Sequence, residues 1–141
     1  MQNANTQTAV KVASGFVIFV GLLLAAAAWP PLAGPVVLLA DIIVWPFDGA
    51  ETLAAPETRV LAAIAGGVMV GWGVTLWKTA EMVQRDAPAV ARSIVMTGLY
   101  CWFAVDSLGS IMAGAPLNAL FNIGFVVLFL VAFRQPRAAR A

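Results

Sequence analysis

"WFAVDSLGSIMAGAPLNALFN" spans residues 102–122, and its reading decides the fold. Two apolar runs meet at a short turn, AGAP, around Gly114. A connection that short makes the helices on either side run antiparallel. Counted outward from Gly114, Ser110 lies four residues before it and Asn118 four after. Asp106 lies eight before it and Asn122 eight after. Equal offsets in an antiparallel hairpin mean equal depth. The spacing therefore predicts two polar rungs between the helices, Ser110 with Asn118 and Asp106 with Asn122. Within each helix the polar pair is spaced i,i+4 and shares a face. Gly98, Trp102, Asp106 and Ser110 continue that face as one stripe. Hydrogen bonds between helices in a membrane contribute ~0.6 kcal/mol on average and up to about 1.7. Bonds of that size set register without dominating stability.

Composition names the solvent. The chain has 141 residues, enough for a single domain over 1–141. Hydrophobic residues make up 62% and charged residues 11%, with a mean hydropathy of +0.91. A soluble domain needs more charge on its surface, so the expected surroundings are a lipid bilayer. A net charge of +1 and the lack of a basic patch exclude a nucleic-acid partner. With no histidine and one cysteine, Cys101, most zinc sites and Ser-His or Cys-His catalysis fall away. No phosphate-binding loop is present. The expectation is a protein without metal, cofactor or catalytic centre.

A membrane-crossing helix needs ~20 mostly apolar residues. Four segments qualify: 12–29, 59–78, 89–112 and 116–133. Residues 35–47, PVVLLADIIVWPF, are apolar but short, with Asp41 in the middle and prolines at the ends. They read as a re-entrant or interfacial segment within an outer connection, 30–58. With four spans, Lys11, Lys78, Arg85, Arg92, Arg134, Arg137 and Arg140 fall on one side and Arg59 alone on the other. The positive-inside rule then places both termini in the cytoplasm. A fifth span at 35–47 would break that charge bias. Lys11, the apolar core and AAAA before Trp29 also have the layout of a cleaved signal peptide. The full span length and three following spans favour an uncleaved helix. Trp29, Trp45 and Trp77 fall at the boundaries, as an aromatic belt requires. Residues 1–10 are polar and expected to fray, and the tail RQPRAARA to rest on anionic headgroups. The expected fold is an all-α membrane protein, a four-helix bundle with N-in/C-in topology.

Two features invite functional reading. In the second span, Ala63, Gly67 and Gly71 form a small-xxx-small stripe, with Gly66 and Gly73 beside it. Such a stripe lets another helix approach closely, either within the bundle or from a partner. The second feature is Asp106, since an acid inside a membrane span is a site hypothesis by default. It is ionised and paired with Arg59, or protonated and donating to Asn122; burial favours the second state and a neighbouring Arg the first. The bland reading is a structural clasp. The sharper one is a pocket lined by Arg59, Trp102, Asp106, Ser110, Asn118 and Asn122 and roofed by 35–48, for a small apolar ligand such as a lipid or quinone.

The layout over 59–133, with its glycine-rich AAIAGGVMVGWG and its closing hairpin after DSLGSIMAG, resembles the small four-helix bacterial membrane proteins grouped as DoxX-like. Some members of that group resemble accessory subunits of quinone-linked membrane oxidoreductases. The resemblance implies a four-helix fold in the bacterial inner membrane. The small size and the glycine stripe suggest a non-catalytic accessory or assembly subunit, bound to a larger complex or to itself.

Overall fold

The computed structural model describes residues 2–134, and the chain there is helical, with no strand among the described residues. The helices are α1 (Gln2–Ala26), α2 (Gly34–Val44), α3 (Pro56–Met82), α4 (Pro88–Met112) and α5 (Pro116–Ala132), with a 3-10 turn at Pro30–Leu32. Each helix after α1 carries a proline at its first or second position. Proline fits there because the first turn's N–H groups have no intrahelical acceptor. Three helices are long and apolar enough to cross a membrane: Ala4–Ala26, Pro56–Met82 and Pro88–Met112. Helix α5, with 17 residues, covers about 25 Å.

The turn at Gly114 closes as its sequence requires. Gly114 takes φ +82°, a conformation that favours glycine. Its N–H donates to the Ile111 carbonyl, and the Ala115 N–H donates to the Ser110 carbonyl at 2.8 Å. These two bonds form a Schellman motif that satisfies the last carbonyls of α4. Helix α5 then returns antiparallel along α4.

The tightest pairing is between α1 and α3, which also run antiparallel. A Cβ placed on Gly21 would lie 2.8 Å from the Gly66 carbonyl oxygen and 2.9 Å from the Val70 nitrogen. One placed on Gly73 would lie 3.1 Å from the Ser14 carbonyl oxygen and 2.6 Å from Cγ1 of Ile18. At the far end, Gln7 Nε2 donates to the carbonyls of Ala80 (3.0 Å) and Glu81 (3.2 Å). Residues 7, 14 and 21 thus meet 80, 73 and 66, a step of seven on both helices. Seven is the repeat of a seam that follows a left-handed supercoil.

That seam bears on two expectations. Among the described residues nothing lies within 4 Å of a Cβ on Gly67 or Gly71, and both are exposed, with Ala63 half-buried beside them. The sequence stripe repeats every four residues, whereas the contact with α1 repeats every seven and selects Gly66, Gly73 and Ala80. Nor do residues 2–10 fray. They continue α1 because α3 extends to Met82 and gives them a surface; Val10 is fully buried and Gln7 covers two carbonyls at the end of α3. The basic tail from residue 135 onward lies outside the described residues.

The apolar core sits toward the end where α1 begins and α5 finishes. It joins Val10, Ala13 and Val17 of α1 to Leu76 and Ala80 of α3, Val95 and Leu99 of α4, and Phe129 of α5. Away from this core, large apolar side chains point outward, including Val68, Val105 and Met112 at 68%, 75% and 80% exposure. That much exposed apolar surface is what a lipid-facing protein presents.

Segment 35–47 folds largely as α2, which packs on α5. Asp41 is buried on this helix and accepts a hydrogen bond from the Gly49 N–H at 2.8 Å. Gly49 has φ +74°, so the bond anchors a tight reversal after α2.

Candidate functional site: a polar clasp between two helices

Helix α4 presents Trp102, Asp106 and Ser110 along one face, and α5 brings Asn118 and Asn122 opposite them. The stripe begins at Gly98, where a Cβ would lie 3.9 Å from Nε1 of Trp72. Trp72 stacks on Trp102 with ring centroids 5.6 Å apart, and Trp102 meets Phe125 edge-on at 5.6 Å. These rings tie α3, α4 and α5 together one turn below the carboxylate.

Both expected rungs are present. Asn118 Nδ2 donates to Ser110 Oγ at 2.8 Å, and Asn122 Nδ2 donates to Asp106 Oδ2 at 2.6 Å. Two further bonds cross-link them. Asn118 Nδ2 also donates to Asp106 Oδ2 at 3.0 Å, and Asn122 Nδ2 to Ser107 Oγ at 3.1 Å. Each carboxamide therefore uses both N–H groups, one on Asp106 and one on a serine. Asp106 Oδ2 accepts from both asparagines, and Oδ1 makes no hydrogen bond among the described residues. Asn122 and Ser107 are buried, while Asp106, Ser110 and Asn118 are half-buried.

Ser107 is the member that depth counting missed. A helical side chain leans toward the helix N-terminus, so Asn122 reaches across to two successive residues of α4 rather than one. The signal was in view, a hydroxyl adjacent to the acid, but equal-offset counting does not resolve it.

The structure corrects the expected charge partner. Asp106 forms no ion pair with Arg59, which is half-buried and makes none among the described residues. Across the deep rung Asn122 Nδ2 is the donor and Asp106 Oδ2 the acceptor. The ion pairs among the described residues lie at the opposite end of the molecule, where Glu81 meets Lys11 at 3.3 Å and Lys78 at 2.6 Å. The Lys11 ammonium also sits 5.3 Å from the ring centre of Trp77. Those two lysines hold the Glu81 carboxyl below its usual range, Lys78 by the stronger hydrogen bond.

A groove of about 520 Å³ runs between α1 and α5, lined by Val12, Ala13, Phe16, Phe121, Gly124, Phe125 and Leu128. None of these is among the residues expected to line a pocket. Phe125 separates the groove from the clasp, stacking toward Phe16 on one side and Trp102 on the other. Among the described residues no three His, Cys, Asp or Glu side chains gather as metal ligands, and Cys101 is free and exposed. Comparison with protein-family models, curated proteins and solved structures finds no match for this chain.

Proposed function

We propose that the protein is a non-catalytic accessory or assembly subunit of the bacterial inner membrane, with four spans and both termini in the cytoplasm. One observation carries the reading. Gly67 and Gly71 face outward, and among the described residues nothing lies within 4 Å of a Cβ on either. Glycine within a helix is destabilising by roughly 0.5–1 kcal/mol relative to alanine, so two on one face call for a close neighbour. Gly66 and Gly73 have one in α1; Gly67 and Gly71 have none among the described residues. A transmembrane helix of a partner chain, or of a second copy, supplies it. The stripe Ala63, Gly67 and Gly71 is the contact such a helix would use.

Charge supports the orientation. Lys11, Lys78, Arg85, Arg92 and Arg134 gather at the end where α1 starts and α5 finishes, and Arg59 belongs to the other. The resemblance to the DoxX-like group supports the bacterial setting. The test is purification of the intact chain in mild detergent with its mass and co-purifying chains measured. Association that is lost on Gly67→Leu or Gly71→Leu, at unchanged melting temperature, is the expected result. A strictly monomeric protein that brings nothing with it sinks the reading.

A second reading, binding of a lipid or quinone tail, is favoured by the apolar groove between α1 and α5. Filling it with Gly124→Phe would remove a co-purifying lipid or quinone detected by mass spectrometry. No such molecule on the wild-type protein counts against it.

A further inference from the structure

The groove between α1 and α5 opens sideways. Val12, Phe16 and Phe121 on its lining are exposed, so it faces whatever surrounds the helices. Gly124 makes room for it: a Cβ there would meet nothing within 4 Å, between Phe121 and Phe125 on the same helix. Its volume of about 520 Å³ lies within the roughly 300–1,000 Å³ of ligand pockets. We infer that this groove holds one acyl chain of an anionic glycerophospholipid, whose phosphate rests against Arg134. The assignment rests on the lipid-tail reading of the groove and adds the headgroup that selects the lipid.

Three observations select that occupant. The first is the lining, built of Val, Ala, Phe, Gly and Leu residues alone. No side chain there donates or accepts a hydrogen bond. A quinone ring carries carbonyl oxygens that call for donors, and the polar groups of the clasp lie beyond Phe125. An acyl chain calls for none, and close contact alone holds it.

The second is depth. Leu128 lies six residues before Arg134, about 9 Å along the helix axis, and Phe121 lies about 20 Å from it. One leaflet supplies about 15 Å of a hydrocarbon core ~30 Å thick. With Arg134 at the headgroup level, the groove spans the middle and end of an acyl chain from the same leaflet.

The third is charge. Five cations of the described chain, Arg134 among them, sit at this end with two carboxylates, Glu81 and Asp86, for a net charge of +3. Glu81 is taken up by Lys11 and Lys78, whereas Arg134 is exposed just past the end of α5, the helix that carries Gly124. The opposite end carries Asp41, Asp48, Glu51 and Glu57 against Arg59, a net charge of −3. An anionic headgroup is drawn to the Arg134 end of the groove and repelled from the other.

The experiment is native mass spectrometry of the full chain released from mild detergent. Phosphatidylglycerol and phosphatidylcholine with identical acyl chains are titrated in turn. The wild type is expected to retain phosphatidylglycerol more tightly. A cation beside an anionic lipid contributes about fivefold in affinity, so Arg134→Gln is expected to weaken phosphatidylglycerol by that factor and leave phosphatidylcholine unchanged. Gly124→Phe is expected to weaken both lipids alike. Should that variant fail to fold, Val12→Trp fills the groove from α1 with the same expected result. Equal retention of the two lipids by the wild type, or a preference that survives Arg134→Gln in full, overturns the headgroup assignment and leaves the lipid-tail reading standing. Retention of neither lipid overturns both, as does retention that neither groove substitution changes. A change of oligomeric mass on filling the groove, with lipid retention unaltered, assigns it to a helix and also overturns both.

Discussion

Gly66 and Gly67 are neighbours in sequence, and the fold assigns them opposite responses to one added methyl group. A Cβ on Gly66 would meet the Ala25 nitrogen and the Gly21 carbonyl oxygen, with the Ala25 Cα at 2.9 Å. All three are backbone atoms of α1, so no side chain can swing away; the helices themselves must separate. Overpacking of this kind costs about 1–3 kcal/mol. The higher helix propensity of alanine returns roughly 0.5–1 kcal/mol. Gly66→Ala is therefore expected to destabilise the monomer by about 1–2 kcal/mol, since rigid backbone contact belongs to the upper part of the overpacking range. On Gly67 the same methyl meets nothing within 4 Å. Gly67→Ala is expected to stabilise the monomer by about 0.4–1 kcal/mol through the restricted unfolded chain. The assay is unfolding of each variant from mild detergent by a denaturing one, followed by helical circular dichroism under monomeric conditions. Gly66→Ala as stable as wild type would refute the α1–α3 register. A loss at Gly67→Ala equal to that at Gly66→Ala would refute the outward placement of the stripe.

Other substitutions probe the remaining contacts. Asn122→Ala removes two hydrogen bonds and is expected to lower stability by about 1–3 kcal/mol, taking each bond at its membrane value. Asn118→Ala should lose less in the same unfolding assay, because Asn118 is half-exposed and Asn122 is buried. Asp41→Ala frees the Gly49 N–H, so hydrogen exchange there should accelerate and stability fall by about 1 kcal/mol. Gln7→Ala uncovers two carbonyls at the end of α3 and should increase proteolytic cleavage before Val10, an outcome that frayed residues 1–10 would not give.

What could be read from the sequence divides along physical lines. The rungs were legible because a short glycine turn makes depth a matter of counting, and backbone rise is nearly invariant along a helix. The diagonal bonds and Ser107 were not, because they depend on side-chain lean and on how closely α4 and α5 approach. The glycine seam shows a different limit. Helix α3 carries one stripe with a period of four and another with a period of seven, and composition alone does not rank them. The choice belongs to α1, whose Ser14 and Gly21 share the spacing of Gly73 and Gly66. Reading both helices together would have found it. The helical N-terminus likewise depends on α3 running past the apolar span to Met82. The groove between α1 and α5 arises from helices distant in sequence, and no local pattern announces it.

The α1–α3 seam also imposes an order on biogenesis. Its two halves are separated by residues 27–55, which include α2, so α1 is synthesised before its partner. In that interval the Ser14 and Gly21 side of α1 has only lipid to face. The α4–α5 hairpin, closed by a short turn, has no such wait, since local pairings form ahead of distant ones. Assembly of this chain is thus a matter of how long one early helix survives alone. A slow or mistimed α3 would expose α1 to membrane proteases even if every contact in the finished fold were sound.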